Sequence, residues 1–145
     1  MADERHKQEL ERCTLVVTCA VLRRASGGSG AEALILKRSE TEDEGPGLWT
    51  IPGGKVQRGD LGEPFSDIRT HRVWTGVLRR AILREIAEES GIPEREIRLV
   101  FLSSREKIFL RKDGTPTLVC VFWAERYYGH SEVQMGEGAT ECRWV

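Results

Sequence analysis

The sequence predicts an α+β domain in which one helix lies against a mixed β-sheet. Apolar residues recur at helical spacing at Leu78, Ile82 and Ile86, and Gly91 and Pro93 follow as a helix stop signal. Several β-branched, apolar runs predict strands on both sides of this helix. The chain has 145 residues, the length of one ordinary domain, so we expect these elements to share one core.

The elements follow one another in a simple order. We expect the helix near residues 73–90 and a loop over 59–70, where Gly, Pro, Asp and Ser mix without a period. Two strands are expected to form a hairpin around 25–30, and two more flank Asp113-Gly114, a strong turn signal. The strands are predicted at 14–22, 33–37, 48–51, 97–102, 107–112, 117–124 and 142–145.

The composition of the chain disfavours some classes of partner and indicates its location. The chain carries 22 Lys+Arg and 23 Asp+Glu, a net charge of -1, which disfavours long nucleic acid as a partner. No apolar run approaches the roughly 18 residues that span a bilayer, so no membrane partner is expected. The charged segment 1–13 is expected to be flexible and is unlike a secretory signal. Cysteines without metal-ligand spacing predict reduced thiols in a cytoplasmic protein: Cys13, Cys19, Cys120 and Cys142.

Three glutamates cluster at the end of the predicted helix. Glu85, Glu88 and Glu89 are i, i+3 and i+4 neighbours, so their carboxylates project from adjoining positions. Like charges repel there, and the C-terminal end of a helix disfavours anions. Arg84 can pair with Glu88 at i+4. The cluster is either a solvated helix face or a site for Mg²⁺ or Mn²⁺, and the preceding Gly53-Gly54-Lys55 offers backbone close to a metal or phosphate.

The runs PGGKV (52–56) and REIAEESGI (84–92) resemble the Nudix box of the MutT-like hydrolases, GX5EX7REUXEEXGU, where U is a bulky aliphatic residue. The resemblance covers the chain from about Thr14 to its end, and it implies an α/β/α sandwich with a single Nudix domain over 14–145. The second half of the box matches at every defined position, namely Arg84, Glu85, Ile86, Glu88, Glu89, Gly91 and Ile92.

The sequence departs from this box in three places. The box places its Arg fourteen residues after its Gly, but Arg84 follows Gly54 by thirty, so 16 residues are inserted at about 61–76. The first Glu of the box has no clear equivalent: Asp60 takes its position counted from Gly54, and Gly76 takes it counted back from Arg84. The helix that usually follows the last strand of the family is apparently missing.

The resemblance implies a hydrolase that cleaves the pyrophosphate linkage of a nucleoside triphosphate or a nucleoside diphosphate derivative by attack of water at phosphorus. Arg84 would orient the glutamates, and Gly53, Gly54 and Lys55 would bind the cofactor and phosphates. Mg²⁺, with Mn²⁺ as an alternative, would be held by Gly53, Glu85, Glu88 and Glu89.

The general base varies in the family. Glu137 is preferred over Glu141, because Gly136 and Gly138 beside it allow close approach. The expected partner is a small nucleotide, and the family includes homodimers. The alternative is a Nudix-fold nucleotide-binding or regulatory module with weak or no catalysis. An isoprenyl diphosphate isomerase would need a catalytic Cys and Glu in contexts that this sequence lacks.

Overall fold

The computed structural model describes residues 15–25, 30–63, 65–68, 71–103, 107–127, 132–136 and 138–145. Within them, helix α1 spans Val77–Ser90, and two 3-10 turns span Arg58–Leu61 and Glu94–Glu96. The strands are β1 (Leu15–Ala25), β2 (Ala31–Arg38), β3 (Trp49–Thr50), β4 (Gly53–Lys55), β5 (Phe65–Ile68), β6 (His71–Val73), β7 (Ile97–Leu102), β8 (Lys107–Leu110), β9 (Pro116–Arg126) and β10 (Ala139–Trp144). The predicted α+β class is confirmed.

Strand β1 is the centre of the main sheet, whose order is β10-β2-β1-β9-β7. It pairs in parallel with β9 and antiparallel with β2 and β4, so the sheet is mixed, as predicted. β3 pairs with β2, and β8 pairs with β9. The β-branched and apolar residues of β1 suit a strand with neighbours on both sides. Because β4 pairs directly with β1, the glycines of β4 are anchored to the middle of the sheet.

One face of α1 packs against this sheet. Ala81, Ile82 and Ile86 are fully buried, as the helical period predicts. The helix ends at Ser90 because Gly91 adopts a left-handed conformation with φ 71°, and the Gly91 N–H donates to the Ala87 carbonyl at 2.9 Å. The sheet residues that form one apolar cluster with the helix are Ala20, Leu22, Leu34, Leu36, Ile97, Phe122 and Ala124.

The stretch before α1 differs from the sequence prediction in two respects. The helix begins at Val77 rather than near 73, because Gly76 has φ 69° and a left-handed residue cannot continue a right-handed helix. Residues 65–68 of the predicted loop form strand β5, which pairs with β6 just beyond the loop and has Phe65 opposite Val73. The Gly, Pro and Asp residues around β5 obscured a strand too short to show a period.

The face of the sheet opposite α1 carries a half-exposed aromatic pair, Phe101 and Trp123, whose rings stack 5.8 Å apart. Within the described ranges, α1 therefore forms a helical layer on one face of the sheet. It is one of the two helical layers of the expected α/β/α sandwich. None of the described helices is long and apolar enough to cross a membrane. The predicted flexible segment 1–13 lies outside the described residues.

We expect the Ile82→Ala substitution to lower the free energy of unfolding by about 2–5 kcal/mol, because it leaves a cavity between α1 and the sheet. Ile108→Ala is the matched control, since Ile108 is 68% exposed and should change stability by less than about 0.5 kcal/mol. Urea unfolding followed by circular dichroism measures both. Equal losses in the two variants would contradict the assignment of the core to the α1 face.

Candidate active site at the end of helix α1

The three clustered glutamates differ in burial. Glu85 is buried, Glu89 is half-buried and Glu88 is exposed. Burial raises the pKa of Glu85, with further contributions from Glu88 and Asp60, although hydrogen bonding to Arg84 opposes this shift. Burial also raises the pKa of Glu89, to about 7, and the charges of Glu85 and Glu88 add to the shift. The cluster therefore concentrates negative charge where burial and mutual repulsion both disfavour it.

Arg84 is the centre of the hydrogen bonds in this cluster. Its Nη1 donates to Glu85 Oε1 at 2.7 Å and to Glu88 Oε2 at 2.9 Å. Its Nε and Nη2 donate to the two carboxylate oxygens of Asp60 at 2.9 and 3.0 Å, and Nη2 also donates to the Lys55 carbonyl at 3.0 Å. These bonds use all five N–H donors of a guanidinium. The Arg84–Glu88 pair expected from the i, i+4 spacing is among them.

Asp60 is 4% exposed and lies in the 3-10 turn that follows β4. Its Oδ2 also accepts the Gln57 N–H at 2.7 Å. Hydrogen bonding to Arg84 lowers the pKa of Asp60 below its usual value, despite the opposing effect of burial. The spacing left two positions open for the first acid of the motif, Asp60 and Gly76. The structure favours Asp60, because Gly76 lies at the start of α1. Asp60 was not among the predicted site residues.

With Asp60 as the first acid of the box, the predicted insertion at 61–76 begins directly after it. Removing residues 61–76 would leave the seven residues 77–83 between Asp60 and Arg84, as the box requires. The extra length is a continuous excursion that leaves and returns at the base of α1.

The two glycines of β4 allow close approach to two different elements, Gly53 to β1 and Gly54 to α1. A Cβ on Gly54 would overlap the Glu85 carboxylate, and a Cβ on Gly53 would overlap the Thr18 carbonyl of β1. The Gly53 N–H donates to Glu89 Oε2 at 2.9 Å. Glycine at both positions therefore brings the backbone of β4 into contact with the carboxylates of α1. The region expected as a loop after a strand is itself a short strand.

The side chain of Lys55 is exposed and alternates to the face of β4 opposite Gly54. Only its carbonyl reaches Arg84.

The segment before β10 runs past the same end of α1. The Gln134 N–H donates to the Ser90 carbonyl at 2.8 Å, and the Gly136 N–H donates to the Glu89 carbonyl at 3.2 Å. A Cβ on Gly136 would overlap the Glu88 carbonyl, so this approach requires glycine. Glu137 lies outside the described residues, but both of its neighbours are at the site.

Glu141, the other candidate base, is in β10 and pairs with Lys37 at 3.7 Å.

A cavity of about 60 Å³ opens beside Glu89. Arg38 and Gly138 also line it. Arg38 Nη2 donates to Glu42 at 3.0 Å, whereas its buried Nε has no acceptor within the described part of the chain. The cavity thus brings two half-buried carboxylates, those of Glu42 and Glu89, together with one arginine that has a spare donor.

A divalent cation fits the chemistry of this donor set. Glu85 and Glu89 lie against the backbone of Gly53 and Gly54, and Arg84 joins Glu88 to Glu85. A bound cation would offset the burial and the mutual repulsion that raise the pKa values of Glu85 and Glu89. Among the described residues, no three acidic, His or Cys groups are already arranged around one ion position. The reason is visible in the contacts, because Arg84 and the Gly53 N–H hold the carboxylate oxygens.

Comparison with known proteins identifies the architecture. No protein-family model matches the chain, and no curated protein does. Among solved structures, the chain is similar to a C. elegans Ap4A hydrolase, with 22% identity and a TM-score of 0.63 over 90% of this chain and 78% of that one. It is also similar to a MutT protein from Methanosarcina mazei Go1, with 25% identity and a TM-score of 0.63 over 94% and 79% of the two chains. The chain has the Nudix fold.

A third Nudix structure is the domain of Shewanella oneidensis NrtR complexed with ADP ribose, with 16% identity and a TM-score of 0.61 over 92% of this chain and 73% of that one. The resemblance to the Nudix (MutT-like) family is confirmed by these structural matches. On this Nudix fold, the described residues of the predicted site come together at one end of α1. They are Gly53, Gly54, Arg84, Glu85, Glu88 and Glu89, with the carbonyl of Lys55.

We expect Gly53→Ala to cost about 1–3 kcal/mol of unfolding free energy, because its Cβ would meet rigid backbone of β1. Gly54→Ala should cost less than Gly53→Ala, since its Cβ meets only the mobile end of the Glu85 side chain. Gly59→Ala is the control, because a Cβ there meets nothing within 4 Å. Urea unfolding of the three variants measures this order, and a Gly53→Ala variant as stable as Gly59→Ala would contradict it.

We expect Asp60→Asn to lower the unfolding free energy at pH 7 by about 1–3 kcal/mol, the range for a hydrogen bond to a charged group. The folded pKa of Asp60 is below its ordinary value of 3.8, so its contribution is present above that value and is lost as the pH falls through the folded pKa.

Urea unfolding between pH 3 and 7 measures the difference between wild type and Asp60→Asn. Asp43→Asn, at an exposed acid, is the control. A difference that stays constant to pH 3 would show that the Asp60 carboxylate is not the stabilising group.

Proposed function

We propose that this protein is a Nudix hydrolase that cleaves a nucleotide phosphoanhydride with the help of Mg²⁺, or of Mn²⁺ as an alternative. The observation that carries the proposal is the convergence of Glu85 and Glu89 on the bare backbone of Gly53-Gly54, with Arg84 joining Glu88 to Glu85. A structural helix end would gain nothing from three carboxylates in this position, because helix polarity, burial and mutual repulsion all oppose them.

The residues proposed to hold the metal are Glu85, Glu88, Glu89 and the carbonyl of Gly53. A bound divalent cation would neutralise phosphate oxygens and lower the pKa of a coordinated water. Arg84 holds Glu85 and Glu88 by charge-assisted hydrogen bonds, which keep both carboxylates beside a guanidinium that also binds the Lys55 carbonyl of β4. Asp60 completes this arrangement by fixing the other side of the guanidinium.

The reaction requires a water to form a bond to phosphorus while the anhydride oxygen leaves. We assign Glu137 as the group that accepts the water proton, because its neighbours Gly136 and Gly138 lie against the end of α1 and the cavity beside Glu89. Arg38 is placed to bind phosphate, since its buried Nε has no acceptor among the described residues and it lines the same cavity.

The proposed substrates are nucleoside triphosphates and nucleoside diphosphate derivatives. The similar structures include an Ap4A hydrolase, a MutT protein and a domain complexed with ADP ribose, and a phosphoanhydride attached to a nucleoside is the feature that Ap4A and ADP ribose share. The cavity beside Glu89 is small, so the site supports recognition of the phosphates more than recognition of the base. A homodimer and a cytoplasmic location stay predictions.

A nucleotide-binding or regulatory module without catalysis is the second candidate. The observation in its favour is that hydrogen bonds already engage Glu85 and Glu88, so that no ready cluster of metal ligands exists within the described ranges. Metal-independent nucleotide binding with no turnover would support this alternative over hydrolysis.

We expect Glu88→Gln and Glu89→Gln to lower Mg²⁺-dependent hydrolysis by on the order of 10²–10³-fold, as when one electrostatic stabiliser of a transition state is removed. Both glutamines keep a hydrogen-bond acceptor, so thermal unfolding should change little.

The measurement is release of phosphate or pyrophosphate over a panel of nucleoside triphosphates, dinucleoside polyphosphates and ADP ribose. Glu94→Gln is the matched control, because it removes the same charge from an exposed acid just beyond the helix. Full activity of both site variants would rule out the proposed metal ligands.

A further inference from the structure

Arg80 joins the two ends of the insertion. It lies in the first turn of α1, one turn before Arg84. Its Nε donates to the Asp60 carbonyl at 2.7 Å, and its Nη2 donates to the Leu61 carbonyl at 2.6 Å and to the Thr75 carbonyl at 2.7 Å. Asp60 and Leu61 are where the chain leaves the box, and Thr75 is where it returns. One guanidinium therefore bonds the backbone at both ends of the 61–76 segment.

A glycine near each end of the insertion lies close to the Arg80 side chain. Gly62 and Gly76 have φ 66° and 69°, a conformation that favours glycine. A Cβ on Gly62 would come within 3.3 Å of the Arg80 guanidinium, and one on Gly76 would come within 3.0 Å. Both glycines thus leave room for the Arg80 side chain. This observation about the glycines is independent of the hydrogen bonds that Arg80 makes.

Helix electrostatics do not account for an arginine at this position. The N-terminal end of a helix favours acidic side chains, and the first turn of α1 contains none. A cation there is unfavourable unless other groups compensate for it. The three carbonyl oxygens provide that compensation, because each accepts a charge-assisted hydrogen bond.

We infer that Arg80 is a positioning residue that closes the insertion by holding its two ends together. Asp60 then keeps the position beside Arg84 that it would have in a box without the insertion. Through Asp60, it would keep Arg84 in contact with Glu85 and Glu88. The catalytic consequence rests on the proposed hydrolase function, whereas the closure of the insertion does not.

Hydrogen exchange tests the closure without any assumption about activity. In Arg80→Ala, we expect about tenfold faster exchange of the Gln57 and Asp60 amides, with the central strands unchanged. The Gln57 amide reports on the Asp60 carboxylate to which it donates. Arg79→Ala is the matched control, because Arg79 is exposed on the same turn and makes only a 3.9 Å pair with Glu94. Exchange in Arg80→Ala that equals the control would overturn the inference.

Kinetics then separate positioning from a general loss of stability. We expect Arg80→Ala to lower kcat about tenfold with a smaller change in KM. Arg80→Lys should restore less than half of the lost kcat, since a lysine cannot span three carbonyls. In a variant lacking residues 61–76, the same Arg80→Ala change should alter kcat less than about twofold, because this deletion joins Asp60 directly to Val77 and removes the Leu61 and Thr75 carbonyls that Arg80 binds.

A loss of similar size in the two backgrounds would contradict closure of the insertion as the role of Arg80. A wild-type protein without turnover on any substrate would defeat the proposed hydrolysis and leave the exchange experiment to decide on Arg80. If the shortened variant does not fold, the same exchange comparison of Arg80→Ala with Arg79→Ala decides.

Discussion

The site depends on the hydrogen bonds of Arg84. Its planar guanidinium joins the carbonyl that ends β4, the buried Asp60 of the following turn and two carboxylates of its own helix. Three segments of the chain are therefore fixed relative to one another by a single group. Lysine has three donors on a point charge and could not maintain this geometry. The other features of the site are arranged around this group.

The end of α1 shows how a stable core can support an unfavourable cluster. Packing of Ile82 and Ile86 against the central strands fixes the helix, and it does so on the side away from the exposed Glu88. The glycine strand then meets the carboxylates without a side chain in between. The fold holds charges close together that would separate in a free peptide, which is typical of sites prepared for a cation.

The sequence predicted the features that depend on local pattern. The period of α1 and its end at Gly91 follow from residues next to each other in the chain, and so does the grouping of the three glutamates. Features that depend on pairing across the chain were harder to predict. Asp60 gave only a spacing signal, and Arg80 gave none, because its partners are backbone carbonyls that any residue could supply.

The start of α1 was misplaced for a related reason. Nothing in the sequence distinguishes Gly76 in a left-handed conformation from an ordinary glycine, and the pairing of β5 with β6 involves strands of only four and three residues. The alternation of so few residues is not a usable signal. Pairing partners, rather than propensities, determine the structure in this stretch.

The two ends of the insertion are held within reach of one side chain, and this has a consequence for how the length of the chain can vary here. When the ends of a segment are fixed together, each doubling of its length costs only about 0.6 kcal/mol in closure entropy. The length and sequence of the excursion are then nearly independent of the geometry of the carboxylates. This part of the molecule can acquire or lose whole hairpins, and so new surface, while the chemistry beneath it stays unchanged.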